Sequence, residues 1–138
     1  MNIKNRINII INTLSNISDL KYIALDQGQA DIDEETKPSI ITPAVLINVQ
    51  GSTPTAFDKI CVKNKVSIHI RLFVETPLIA NINAPESYHK EYIKRFGLIE
   101  DIESFLASKG ARLEGWSFVS QRKSMSEYCI RIAYETWG

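Results

Sequence analysis

Cysteine is scarce in this chain: only Cys61 and Cys129 occur among 138 residues, and they form no CxxC pair. That excludes a disulfide-stapled scaffold and points to an intracellular setting. Histidine is as rare, with His69 and His89 alone, whereas a zinc site needs three or four converging ligands. Along a continuous strand His69 would stand about 26 Å from Cys61, so no metal site is expected from these residues. The six glycines are dispersed. Gly28 and Gly51 stand alone, which excludes a phosphate-binding loop and a dinucleotide fingerprint, and no GxSxG elbow surrounds any serine. No cofactor is expected. Sixteen basic and sixteen acidic residues cancel, so there is no overall field to hold nucleic acid or an anionic membrane. Nor does any apolar run approach the roughly 20 residues of a membrane-crossing helix. Lys4 and Arg6 precede Ile9, Ile10 and Ile11 as in a signal peptide, but Asn8 and Asn12 cut that run short.

What the chain does contain is periodicity. Ile60, Val62, Val66, Ile68, Ile70, Leu72 and Val74 share one parity, broken only at Asn64. The other parity carries Cys61, Lys63, Lys65, Ser67, His69, Arg71, Phe73 and Glu75. This is a strand with one apolar and one largely charged face, and it either bends or turns at Lys63-Asn64-Lys65. Tyr128, Ile130, Ile132 and Tyr134 repeat the pattern within a strand expected over 127–137, preceded by another over 112–119. Ala44 to Val49 is apolar on both parities, the mark of a central strand covered on both sides, and Gly51-Ser52-Thr53-Pro54 is expected to end it. A short strand is expected over 20–25, followed by a polar loop over 26–37.

Two helices complete the pattern. Ile3, Ile7, Ile10, Ile11, Leu14 and Ile17 recur at helical spacing, predicting an amphipathic helix over 2–17. Tyr88, Tyr92, Phe96, Ile99, Ile102, Phe105 and Leu106 predict a second. Pro85 and Glu86 suit its first turn, and Lys109-Gly110 its C-terminal cap. Glu86 with Lys90 and Glu91 with Arg95 are favourable pairs four residues apart. At 138 residues the chain suits one domain able to bury roughly two thirds of its unfolded surface. The expected class is α+β: a mainly antiparallel sheet with two amphipathic helices packed on its apolar face.

Side chains that bear chemistry are few. Asp31, Asp33, Glu34 and Glu35 form an acidic stretch without the glycine turn and distal glutamate of a calcium loop, which reads as a solvated loop. Lys63, Lys65, Arg71, Arg122 and Lys123 form a basic patch only if their strands are neighbours. Trp116 and Trp137 are amphipathic aromatics expected near strand ends, suited to a sheet rim or a subunit interface.

In order and size of elements the chain resembles the tail terminator, or tail completion, proteins of long-tailed bacteriophages and prophages. The resemblance rests on the N-terminal helix (Ile3 to Ile17), the Pro-Ala-Val-Leu-Ile strand (Pro43 to Ile47) and the alternating strand (Val66 to Val74). The long helix (Glu86 to Ala107) and the final Cys-Ile-Arg-Ile-Ala-Tyr-Glu strand (Cys129 to Glu135) complete it. It implies a structural virion protein, not an enzyme. Such a protein forms a ring of its own copies, usually a hexamer, that caps the tail tube and contributes to head joining. Its partners would be tail-tube and head-connector proteins, and its location the virion tail, after assembly in the host cytoplasm. A ring needs two different complementary patches per subunit. Lys63, Lys65, His69 and Arg71 are the interface candidates on the sheet, with Asp31, Asp33, Glu34 and Glu35 as an opposite-sign loop. The alternatives are another head-tail or baseplate adaptor, and a small α+β ligand-binding domain or enzyme.

Overall fold

A computed structural model describes residues 3–30, 40–57, 62–75, 86–122 and 125–137. The elements run α1 (Ile3–Leu14), β1 (Tyr22–Leu25), β2 (Ala44–Phe57), β3 (Val62–Glu75), α2 (Glu86–Ser108), β4 (Arg112–Arg122) and β5 (Met125–Trp137). The five strands form one sheet in the order β1-β2-β3-β5-β4. β1 pairs parallel with β2 and the other three pairs are antiparallel, so the α+β expectation holds.

The period-two pattern positions the core. Val66, Ile68, Ile70, Leu72 and Val74 of β3 are buried beside Tyr128, Ile130, Ile132 and Tyr134 of β5. Both helices close over this face: Ile10 and Leu14 from α1 join Leu98, Ile99, Ile102 and Leu106 from α2 in the same cluster. A smaller cluster of Ala30, Ala44, Leu46 and Phe73 lies on the opposite face. Successive residues of β2 thus feed both clusters, which explains why its start is apolar on both parities.

Several boundaries differ from the expected ones. α1 ends at Leu14, and backbone bonds from Ser15 to Ile11 and from Ile17 to Leu14 carry the chain out through tight turns. β3 runs through Lys63-Asn64-Lys65 without turning, with Asn64 in register between Pro54 and Thr136. β2 does not end at Gly51-Ser52-Thr53-Pro54 but continues to Phe57 with two register shifts. β1 covers β2 only as far as Ile47, so among the described residues the extension pairs on one side alone, where Pro54 can sit without withholding a ladder hydrogen bond. β4 and β5 both extend into the polar stretch expected between them.

The end of α2 matches its sequence signal closely. The Gly110 N–H donates to the Ala107 carbonyl and the Ala111 N–H to the Leu106 carbonyl, while Gly110 sits at φ 91°. Those are the two bonds of a Schellman cap, which needs the left-handed conformation glycine adopts without penalty.

Candidate interaction surface

The charged parity of β3 lies on the side of the sheet away from the helices, and its cations find carboxylates within the chain. Lys63 Nζ is 2.6 Å from Glu135 Oε2, and Lys65 Nζ is 2.7 Å from Glu114 Oε2. Arg71 donates from Nε and Nη2 to both oxygens of Glu127, at 2.9 and 3.1 Å, and from Nη1 to Asp26 at 2.9 Å. Such a bidentate contact suits the planar guanidinium and fixes it in place. Asp26 also accepts from the Asn48 amide and the Gly28 N–H. Burial pushes the Asp26 carboxyl up, but these three partners outweigh it and hold the group below the ordinary carboxylate range.

His69 lies between Asn48 and Arg131 in register. Its pKa is lowered by burial first and by the Arg131 charge second, with Glu114 pulling the other way. Cys129 is a free, half-buried thiol that burial pushes up, away from the thiolate a nucleophile requires. Among the described residues no three His, Cys, Asp or Glu side chains gather to hold a metal ion.

Of the interface candidates, Lys63, Lys65, His69 and Arg71 therefore share one face. Three of them are ion-paired within their own subunit, which leaves less charge for a partner than the sequence pattern implies. Asp31, Asp33, Glu34 and Glu35 lie outside the described residues, as do Cys61 and Lys123.

The more distinctive surface is on the helix side, at the edge of the sheet. Phe96 of α2, Trp116 and Phe118 of β4 and Tyr128 of β5 form a connected aromatic cluster with centroid spacings of 5.6 to 6.2 Å. Tyr92 extends it along α2 at 5.9 Å from Phe96. The inner ring, Tyr128, is buried, but Trp116 is 40% and Phe118 54% exposed, and Leu113 and Val119 are similarly uncovered. Trp116 stands mid-strand, not near a strand end. Register explains the orientation: Leu113, Trp116 and Phe118 lie opposite Ile132, Ile130 and Tyr128, so all three face the helix side, where α2 covers them incompletely.

Of this strip the sequence pattern singled out Trp116 alone, as an aromatic suited to a sheet rim or a subunit interface. The strip's further signal is the Leu113, Trp116, Phe118 set, whose spacing a bulge disrupts. Leu113 and Trp116 straddle a register shift at which Gly115 adopts φ 92°, so strict alternation fails although the side chains share a face.

At one end of the sheet a cleft of about 490 Å³ runs between α2 and the starts of β1 and β2. Asp19, Lys21, Glu75, Glu91 and Lys94 line it with exposed charges, and Arg95 is a buried charge in its wall beside the buried Val74 and Leu98. Arg95 does not pair with Glu91 as the four-residue spacing suggests; Glu91 approaches Lys94 at 3.6 Å instead. The Arg95 guanidinium turns inward and donates to the Tyr92 carbonyl, the Tyr128 hydroxyl and the Glu75 carbonyl. No described helix is long and apolar enough to cross a membrane. No protein-family model and no curated protein sequence matches the chain.

Proposed function

We propose that the chain is a structural, self-assembling protein: a tail terminator of a long-tailed bacteriophage or prophage, whose copies form a ring, of six subunits on the family pattern, that caps the tail tube. The observation that carries the self-assembly is the apolar strip of β4. Isolated exposed apolar residues are ordinary, but Leu113, Trp116, Phe118 and Val119 lie together on a strand that is an edge among the described residues, a combination natural proteins avoid unless a partner covers it. The element order supports the tail-terminator assignment, and tail-tube and head-connector proteins are the partners that follow from it.

A second reading is a ligand-binding domain using the cleft beside Arg95, whose volume suits a small molecule. It ranks below the first because that cleft is walled by solvated surface charges and its buried cation is engaged by internal acceptors.

Light scattering with negative-stain imaging of the purified chain tests the ring. A closed oligomer of several 15.6 kDa subunits is expected. Because Lys63, Lys65 and Arg71 are paired internally, its mass should change little from low salt to about 1 M, where charge attraction between subunits is screened within about 3 Å. A single species at the chain mass at high concentration would overturn the reading.

A further inference from the structure

We propose, resting on the ring reading, that β4 of one copy pairs antiparallel with β1 of the next, so that the sheet continues from subunit to subunit. Among the described residues β1 and β4 are the two edges of the sheet. β1 runs with β2, and each later step in the order β2-β3-β5-β4 reverses direction, so β1 and β4 point opposite ways. When copies related by a ring rotation are set edge to edge, the two strands therefore meet antiparallel. That is the relation three of the four pairs in the subunit already use.

The apolar side chains at the two edges also lie on the same face. Leu25 of β1 sits opposite Ile47, a member of the helix-side core, and is 42% exposed. Leu113, Trp116 and Phe118 occupy that same side at the other edge. Edge-to-edge pairing brings them together without a change of face, and directly opposite residues on a sheet then cover one another. The lengths differ by one residue, three against four. Register shifts after Leu113 and after Phe118 leave Trp116 to Phe118 as the regular centre of β4, and β1 is four residues long.

Pairing of β4 with β4 of a second copy fits less well. A full-length two-fold about Ser117 sets Arg112 opposite Arg122 at both ends, and both arginines face away from the helices, opposite Ala133 and Met125. Like charges directly opposite oppose pairing. A two-fold contact would also close as a dimer and leave β1 open, whereas contact between different edges is the kind from which a ring is built when the rotation between copies closes.

The test mixes two interface variants. Phe118→Lys with Val119→Lys places charge on the β4 edge, and Leu25→Lys places it on β1. All three side chains are substantially exposed, so each variant should melt cooperatively near the wild-type temperature. Alone, each should lower the mass in light scattering from the wild-type oligomer to the 15.6 kDa chain. Mixed, they should form a complex of twice that mass, because the β4 variant keeps an intact β1 and the β1 variant an intact β4. Two-fold pairing predicts instead that Leu25→Lys leaves the oligomer intact and that mixing rescues nothing, and that outcome overturns the inference. An oligomer untouched by either variant also overturns it while leaving the ring reading standing; a monomeric wild type overturns both.

Discussion

The guanidinium of Arg95 ties the backbone of α2, the end of β3 and a β5 tyrosine together, and only 4% of the residue reaches solvent. It also stacks on Tyr92, with Cζ 4.0 Å from the ring centroid. Replacing it with methionine removes three hydrogen bonds from a charged donor and leaves the Tyr128 hydroxyl without this partner, at a cost of about 2–4 kcal/mol in urea unfolding. Arg95→Lys should recover only part of that, since an ammonium cannot reproduce the planar fork. Wild-type stability in the methionine variant would show that the contacts contribute nothing net. His69 carries a pH dependence. The fold favours its neutral ring, so its folded pKa lies below the unfolded value. The stability tied to this site is complete above the unfolded value of about 6.5 and is lost as the pH falls through the folded one. The melting temperature should therefore drop between about pH 7 and pH 5 more steeply in the wild type than in His69→Gln. Identical profiles would remove His69 as the cause. Asp26 acts in a separate window: its depressed pKa contributes stability above the ordinary carboxylate value of about 3.9, lost only in stronger acid.

Among the elements, α2 shows how far a periodic pattern can be trusted. Ile99, Ile102 and Leu106 are buried as their spacing predicts, and Gly110 caps the helix where the sequence places it. Phe105, expected in the same stripe, is 42% exposed, while Leu98 takes a buried position. Hydrophobicity alone cannot separate these two, because both flank the stripe and only the position of a neighbouring element decides which is covered. Ile102→Ala should cost about 2–5 kcal/mol as a core truncation, and Phe105→Ala well under about 1 kcal/mol. Comparable losses in chemical denaturation would mean that Phe105 is covered in the working protein, as an additional interface would require. Strand ends are less legible than helix caps. Gly51 to Pro54 reads as a break, yet β2 passes through it because pairing with β3 continues there, while among the described residues the other flank is unpaired.

For the whole molecule, the decisive property is that one sheet carries two unlike faces and two unlike edges. The helix face is a packed core that ends at an uncovered aromatic strip, and the other face combines a small apolar cluster with internal ion pairs at Lys63, Lys65 and Arg71. In the assembly proposed above, subunit contact falls on apolar side chains at the edge rather than on the charges of the open face. The sequence by itself determined the α+β class, both helices, the inward parity of β3 and β5, and the cap at Gly110, because each depends on residues close together in the chain. Only the tertiary structure decided that Lys63, Lys65 and Arg71 are matched by Glu135, Glu114, Glu127 and Asp26, and that Arg95 is buried against Tyr128. It also decided that β4, the sixth strand or helix in chain order to be laid down, lies at the edge of the sheet beside β5 rather than within it. Those outcomes depend on which strands become neighbours, and strand pairing joins residues tens of positions apart that no local period connects.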